Sequence, residues 1–415
     1  MSVKRARSDA GIATPRGVAV GLVLFLVGTG IGLVASGFVP RATAATSTAT
    51  AGTQPVAAQK IARNDCVPAS LRARAAQALV VGIPHVTTAT DPLALEVLSL
   101  GVGGVFINDG NAVDAEQVRD LTRGLRAGST LPLLITTDEE SGRVSSFRPL
   151  IGGTSSPRTL AATMSVDDVR AYAAELGEQL ADLGLNSDLA PVADLDAGTA
   201  TGVIGDRAFS DDPLLAGRYA EAFAAGLADA GLLPVVKHFP GHGAAGVDVH
   251  KRGATIDTSL EDLLAADVMP FIDLIEAGAP VVMVGHPTYT ALDAERPASV
   301  SKATYRLLRD LGFEGVAMTD SIGMGAIHRR WDFPKAAVMS LKAGADAVLA
   351  TDGRQAAAMV DAIVNAVEKG KLDEARLDEA VARVLAVKGV DPALLSCAQG
   401  ATAPRMARDN LVAKG

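Results

Sequence analysis

Residues 232–241, Leu-Leu-Pro-Val-Val-Lys-His-Phe-Pro-Gly, join a short apolar run to a polar end, and this pattern decides the fold. Continuous β-branched and aliphatic runs of this length are typical of strands that are buried on both faces of a parallel sheet. The chain contains eight such runs, which alternate with amphipathic segments. They are Ala78–His85, Val102–Asp109, Leu131–Asp138, Leu185–Asp194, Leu232–Gly241, Pro280–Pro287, Glu314–Ser321 and Asp346–Asp352.

The segments between these runs have helical periodicity. Ser165 and Asp168 predict a capping box at the start of one helix, and Gly231, Gly278 and Gly344 are placed as residues that end helices. The clearest helical segments are Val166–Leu183, Leu214–Ala230, Leu260–Ala277 and Lys335–Ala343. Eight strand–helix units predict an α/β fold, a (β/α)8 TIM-type barrel forming a single catalytic domain. A doubly wound open sheet is the alternative, although no G-x-G-x-x-G follows the first run.

Polar side chains gather where the runs end. In a (β/α)8 barrel the loops after the strands build the active site, so side chains at these ends are expected to share one polar pocket. Any one of them could instead cap a helix, and Asp138 and Asp352 are open to that interpretation. The residues are Asp138, Asp194, Lys237, His238, His286, Asp320 and Asp352.

Composition excludes several classes of protein. The chain has 415 residues, of which 48% are hydrophobic, so wholesale disorder is excluded, and its net charge of −9 argues against a nucleic-acid partner. Residues 1–60 carry six basic groups against one acidic group, which leaves a net charge of −14 on the remainder.

The basic N-terminus precedes an apolar stretch at residues 17–39. This order predicts an export segment, with two interpretations: a cleaved signal peptide or an uncleaved membrane anchor. We therefore divide the chain into a leader (1–41), an Ala/Thr-rich linker (42–62), the catalytic barrel (63–400) and a C-terminal tail (401–415). The expected location is extracytoplasmic, either secreted or membrane-anchored.

Two cysteines are too few for a disulfide-dense scaffold. Cys66 and Cys397 lie near the two ends of the predicted barrel, so in an exported protein they are candidates for one disulfide bond, with two unrelated thiols as the alternative.

The segment from Lys237 to His250 contains three of the six histidines. His238, His242 and His250 with Asp248 could be metal ligands, but the neighbouring Lys237 cation opposes a metal ion. Asp248 and His250 project to the same side of an extended loop. A carboxylate there can orient the imidazole and raise its basicity, which produces a general acid/base near neutral pH.

Asp320 ends the seventh run and is followed by small residues, in the stretch Thr-Asp-Ser-Ile-Gly-Met-Gly at 319–325. Its carboxylate is therefore expected to be open to a ligand. With an acid/base available, Asp320 could act as a nucleophile at an anomeric carbon.

These motifs together resemble glycoside hydrolase family 3, specifically its single-domain bacterial β-N-acetylhexosaminidases. The resemblance is carried by Lys-His-Phe-Pro-Gly-His-Gly at 237–243, Asp-Val-His at 248–250 and the stretch at 319–325. Further matches are Thr-Asp-Glu-Glu-Ser-Gly-Arg-Val at 137–144, Leu-Ala-Pro-Val-Ala-Asp at 189–194 and Ile-Gly-Asp-Arg-Ala-Phe at 204–209. It extends over roughly residues 70–390 in the same order.

The resemblance implies a role for each matched residue. Asp320 would be the nucleophile, His250 the general acid/base and Asp248 its dyad partner. Four further residues would hold a non-reducing-end β-linked N-acetylglucosamine (GlcNAc): Asp138, Arg207, Lys237 and His238. It also implies a retaining mechanism on cell-wall sugars, with no metal and no organic cofactor.

The sequence departs from the family pattern at Ser141, Ser146 and Val249, where the family commonly has Gly, Arg and Ser. Arg148 is a candidate replacement for the missing arginine. Three alternative functions stay open: a β-glucosidase of the same family, a β-N-acetylglucosaminide phosphorylase, and a non-catalytic protein that binds cell-wall sugars. The sequence does not indicate an oligomeric state.

Overall fold

The computed structural model describes residues 69–243 and 253–395. The predicted leader, linker and C-terminal tail lie outside these residues, as do Cys66 and Cys397. Within the described residues no helix is both long and apolar enough to cross a membrane.

Eight parallel strands form the central sheet, and each lies within one of the eight predicted runs. Their bounds are β1 Leu79–Gly82, β2 Gly104–Phe106, β3 Leu134–Thr137, β4 Ser187–Asp188, β5 Leu233–Phe239, β6 Val281–Val284, β7 Val316–Thr319 and β8 Val348–Ala350.

The sheet closes into a barrel. Neighbouring strands pair in chain order from β1 to β7, and β8 pairs with β1 through Leu79 and Val348. A parallel bridge between Met318 and Ala347 joins β7 to β8 at the remaining seam. The predicted (β/α)8 barrel is confirmed, and the doubly wound open sheet is not the fold.

Helices cover the outside of the barrel. They are α1 Leu71–Gln77, α2 Pro92–Leu100, α3 Ala115–Gly128, α4 Arg148–Ile151, α5 Pro157–Thr163, α6 Val166–Asp182, α7 Pro213–Asp229, α8 Leu260–Ala265, α9 Met269–Glu276, α10 Lys302–Asp310, α11 Gly325–His328, α12 Phe333–Ala343, α13 Ala356–Glu368 and α14 Glu374–Val387. Short 3-10 helices occupy Asp109–Asn111, Gly205–Arg207, Ala298–Val300, Gly353–Gln355 and Pro392–Leu395.

Local sequence explains where these helices begin and end. The Ser165 side chain accepts a hydrogen bond from the Asp168 amide, and the Asp168 side chain accepts one from the Ser165 amide. These two bonds confirm the predicted capping box. Gly344, which ends α12, has φ 135°, in the region that favours glycine.

One predicted helix is divided. Residues 260–277 form α8 and α9 rather than one helix, because Pro270 has no amide hydrogen and its ring would clash with the Ala266 carbonyl of a continuous helix. The break places Asp267 against Gly241, so that a Cβ added at Gly241 would lie 2.5 Å from the Cβ of Asp267.

Two apolar cores lie on either side of the strands. The larger fills the space between strands and helices, and the smaller fills the barrel interior. Val384 of α14 belongs to the interior core, so this helix packs against the lower end of the barrel, which we define as the end where the strands begin. The candidate site lies outside these two apolar cores, at the strand ends and in the loops that follow them.

Candidate active site

Five of the predicted site residues lie at the C-terminal rim, which we define as the strand ends and loops where β3 to β7 finish. Asp138 directly follows β3, and Lys237 and His238 lie near the C-terminal end of β5. Arg207 ends the 3-10 helix in the loop after β4, and Asp320 directly follows β7. The rim therefore brings together residues that are far apart in sequence, as the barrel prediction requires.

Glu140 connects three of these side chains. Its carboxylate receives two hydrogen bonds from Arg207, at 2.6 Å from Nε to Oε2 and 2.8 Å from Nη2 to Oε1. The Lys237 ammonium lies 2.6 Å from Glu140 Oε1 and 2.5 Å from Asp138 Oδ1. Two carboxylates and two cations thus form one continuous network.

Mutual pairing keeps this network charged despite its burial. Burial alone would raise the pKa of Glu140, but Arg207 and Lys237 outweigh it and hold that pKa far below its usual range. Burial alone would lower the pKa of Lys237, but Asp138 and Glu140 raise it instead. The side chain of Asp138 is 34% exposed, so one edge of the network faces solvent.

Asp194 holds the turn after β5. Its Oδ2 lies 2.6 Å from Nδ1 of His238, and its Oδ1 accepts the backbone amides of His238 at 3.2 Å and His242 at 2.6 Å. Burial would raise the pKa of Asp194, but the facing His238 imidazole lowers it. Because an ionised carboxylate only accepts hydrogen bonds, this geometry assigns the Nδ1 proton to His238 and turns Nε2 away from Asp194.

His242 lies beside His238, with ring centroids 5.6 Å apart. Burial, with His238 as the next cause, lowers the pKa of His242 to about 4, so it is neutral at physiological pH.

Asp320 is fixed by its neighbours in β6 and β7. Its backbone amide donates to the Val284 carbonyl at 2.9 Å, and its Oδ1 accepts the Ser321 amide at 2.6 Å. Nε2 of His286 lies 2.8 Å from the Ser321 carbonyl oxygen and so secures the same turn. Burial would raise the pKa of Asp320, but His286 and His238 outweigh it, and that pKa falls below its usual value.

Asp352 is a helix cap. Its side chain accepts the Arg354 amide at the start of the 3-10 helix Gly353–Gln355 and also pairs with the Arg354 guanidinium at 2.7 Å. The capping interpretation therefore holds for Asp352, whereas Asp138 pairs with Lys237.

Two short antiparallel strands, Glu139–Ser141 and Val144–Ser145, form a hairpin after β3, and the loop before Arg207 is tied to this hairpin. Arg143 contacts Asp206 at 2.7 Å and donates to the carbonyls of Gly202 and Ile204. Arg148, the candidate replacement for the family's missing arginine, donates to the Gly142 carbonyl and so secures the turn of the hairpin.

Asp248 and His250 lie in residues 244–252, outside the described residues, so their predicted acid/base roles stay predictions. In the described parts of the chain, no three His, Cys, Asp or Glu side chains gather as a metal site would require. The predicted disulfide between Cys66 and Cys397 likewise lies outside them.

No sequence pattern assigns a role to Glu140, although it lies within the matched stretch 137–144. A signal was present: Lys237 and Arg207 are two cations at one rim, and Asp138 alone cannot balance both. The strand-end pattern predicts Asp194 and His286 at the rim without assigning them a role, and in the structure each orients a neighbouring site residue.

The barrel carries a carboxylate at the end of β7 and a charged network of Asp138, Glu140, Lys237 and Arg207, which we call the sugar cradle. This arrangement is typical of a barrel glycosidase. The chain matches the Glycosyl hydrolase family 3 N terminal domain over residues 70–387. It belongs to this family and is a glycosidase.

Similar proteins support this assignment. A protein named Beta-hexosaminidase LpqI from Mycobacterium tuberculosis is 40% identical over 336 residues, covering 79% of this chain and 85% of that protein. A solved structure of a GH3 family member from Mycobacterium smegmatis has a TM-score of 0.73 at 40% identity, covering 77% of this chain and 98% of that chain. A GH3 β-N-acetylglucosaminidase from Paenibacillus has a TM-score of 0.73 at 30% identity, covering 83% of this chain and 66% of that one.

Proposed function

We propose that the protein is a β-N-acetylhexosaminidase that releases β-linked GlcNAc from the non-reducing end of its substrate. The observation that carries this proposal is the placement of an ionised, partly exposed Asp320 at the rim that also holds Asp138, Lys237 and Arg207. The names of the similar proteins, a β-hexosaminidase and a β-N-acetylglucosaminidase, support the choice of sugar.

The sugar cradle has hydrogen-bond donors and acceptors that remain available for a sugar. Lys237 uses two of its three N–H bonds on Asp138 and Glu140, and the described residues supply no partner for the third. Asp138 uses Oδ1 for Lys237, so Oδ2 is left to accept a sugar hydroxyl. Such paired donors and acceptors suit hydroxyl and acetamido groups.

In the mechanism we propose, Asp320 attacks the anomeric carbon while His250 protonates the leaving oxygen. The bond to the aglycone breaks as the bond to Asp320 forms, and His250 then deprotonates the water that releases the sugar. Asp248 would orient His250. The lowered pKa of Asp320 suits this role because a nucleophile must be ionised.

The test is hydrolysis of a chromogenic aryl β-GlcNAc by wild type, Asp320→Asn and Asp352→Asn. Asp352 is the matched control: it also follows a barrel strand, but it caps a helix and should not affect turnover. We expect Asp320→Asn to lose about 10³-fold or more in kcat and Asp352→Asn to stay within about twofold. Wild-type rates from an Asp320→Asn enzyme would refute the nucleophile.

Retention of the anomeric configuration can be measured separately. Proton NMR of the first-formed sugar should show the β-anomer before mutarotation, and an α-anomer first would indicate inversion.

We further propose that the protein is exported and acts on cell-wall fragments, as the basic N-terminus and the apolar stretch at 17–39 suggest. Fractionation of cells producing the full chain should place it outside the cytoplasm. Mass spectrometry of muropeptide and chito-oligosaccharide digests should show loss of one GlcNAc from muropeptides; cleavage of chito-oligosaccharides alone would contradict the cell-wall assignment.

A further inference from the structure

Glu140 is the one described carboxylate that contacts both cations of the sugar cradle. It is 2% exposed, and each of its oxygens accepts from Arg207 while Oε1 also accepts from Lys237. We propose that Glu140 is a positioning residue that aims both cations at the sugar and, by its charge, keeps the pocket selective for an uncharged one. This inference rests on the proposed function.

The positioning follows from the hydrogen bonds that Glu140 consumes. Arg207 spends Nε and one Nη2 hydrogen on Glu140, and Nη1 donates to the Val203 carbonyl at 3.3 Å. Its planar guanidinium is therefore fixed in plane by two parallel bonds, and one hydrogen on each terminal nitrogen is left without a described partner. Lys237 is fixed between two carboxylates in the same way.

Without Glu140, both cations would have to share Asp138. Asp138 already accepts Lys237 on Oδ1, and a second cation would occupy the Oδ2 that a sugar hydroxyl needs. Burial of Arg207 and Lys237 with only one carboxylate would also be costly, because an unpaired buried charge is strongly unfavourable. Glu140 thus acts on the sugar through three other residues and does not need to touch it.

The charge of Glu140 makes the network neutral. Asp138 and Glu140 balance Lys237 and Arg207, while the nearby Asp194 faces His238. A network with no net charge, lying beside the ionised Asp320, does not attract inorganic anions. Removing the charge of Glu140, with its shape retained, leaves Asp138, Lys237 and Arg207 with one positive charge in excess, beside the place where the sugar binds.

The experiment compares wild type with Glu140→Gln at pH 6, using the aryl β-GlcNAc assay with increasing sulfate. We expect KM to rise by about 10-fold to 100-fold with a smaller loss in kcat, since a charge-assisted partner of two binding groups is lost. Sulfate should become a competitive inhibitor at least about tenfold stronger than with wild type. A KM within about twofold of wild type, or an unchanged response to sulfate, would overturn the inference.

Glu140→Asp separates charge from reach and protects the test if the glutamine variant does not fold. The shorter side chain retains the charge but cannot reach Arg207 and Lys237 together, so KM should rise while sulfate inhibition stays at the wild-type level. If Glu140→Asp lowered kcat but left KM unchanged, Glu140 would be a purely structural residue, and the proposal would be contradicted.

Glu139→Gln is the matched control. Glu139 is the adjacent residue and equally buried, but its Oε2 accepts the Phe147 amide at 3.1 Å and contacts neither cation. Because burial raises the pKa of Glu139 to about 7, it is mostly protonated at pH 6, and glutamine replaces it closely. Its KM and sulfate response should match wild type.

Failure of the proposed function would look different. A wild type that hydrolyses no aryl β-GlcNAc would count against that function, whatever the variants do. Calorimetric titration with sulfate would still test Glu140, because sulfate should bind Glu140→Gln and not wild type; equal binding to both would refute the charge-balancing role.

Discussion

Ser141 occupies backbone that normally favours glycine. Its φ is 71°, and the family commonly has glycine at this position. A non-glycine residue in the left-handed region costs about 1–2 kcal/mol. The structure shows a compensating contact: Ser141 Oγ lies 2.8 Å from the Tyr172 hydroxyl, which ties the turn after β3 to α6.

This contact predicts coupling between Ser141 and Tyr172. Tyr172→Phe should destabilise wild type by about 1–2 kcal/mol because it leaves a buried hydroxyl without its partner, and it should cost about 1 kcal/mol less in a Ser141→Gly background. Urea denaturation of the two single variants and the double variant measures the difference. Strictly additive effects would show that the hydrogen bond does not compensate for the strain.

At the scale of residues, the sequence predicted charged and nucleophilic groups better than their supports. Asp138, Lys237, His238 and Asp320 were found because polar residues at strand ends are rare in runs that are otherwise apolar. Glu140 was missed because its partners, Arg207 in the loop after β4 and Lys237 in β5, are distant from it in sequence. The 67-residue separation between Glu140 and Arg207 follows from barrel closure and not from any local pattern.

At the scale of elements, the strands and most helix starts followed from pattern, and the hairpin after β3 did not. Its strands Glu139–Ser141 and Val144–Ser145 are too short and too polar to give an alternating signal. They form because the Glu139 amide donates to Asp188 Oδ1 at 2.9 Å and the Glu139 side chain accepts the Phe147 amide. The break before α9 did have a signal in Pro270.

Two buried carboxyls, Glu139 of this hairpin and Asp188 of β4, which accepts the Glu139 amide, predict a pH dependence of stability. Burial raises the pKa of Glu139 to about 7 and that of Asp188 well above its usual range, so both groups bind protons more tightly in the folded chain than in the unfolded one. Between the unfolded and folded pKa values the folded state holds more protons, so stability falls as pH rises from about 4.5 through about 7.

Glu139→Gln should remove the Glu139 part of this loss. The free energy of unfolding of the variant should rise relative to wild type as pH rises, by up to about 3 kcal/mol between pH 4.5 and pH 8, most steeply about midway between the unfolded and folded pKa values of Glu139. Thermal or urea unfolding across this range measures it. A constant difference between variant and wild type at every pH would mean that Glu139 titrates normally.

At the scale of the whole molecule, the barrel could be predicted because eight apolar runs require eight buried strands and because helices between them demand parallel pairing. How the barrel closes could not be predicted. β7 and β8 meet at one bridge, Met318 to Ala347, where the Thr319 amide donates to the Ala347 carbonyl and the Ala347 amide donates to the Ala317 carbonyl. Side chains from separate helices reinforce this seam.

Asp346 holds that seam together. It is fully buried at the lower end of the barrel, and its Oδ2 accepts the Ala317 amide at 2.9 Å and Arg309 of α10 at 2.5 Å. Its Oδ1 lies 2.6 Å from Arg376 and 3.2 Å from Arg383, both on α14. One carboxylate thus joins β7 to two helices, and the closing helix α14 depends on it.

Asp346→Ala should therefore destabilise the whole barrel. Three arginines would lose their shared buried partner, which is expected to cost about 3–5 kcal/mol in urea unfolding. Asp361→Ala is the control, because it breaks an ion pair with Arg72 whose side chains are 50% and 60% exposed, and such pairs contribute about 0–1 kcal/mol. If Asp346→Ala cost no more than Asp361→Ala, the arginines would be solvated independently, and closure would rest on the apolar contacts of α14 with the barrel interior.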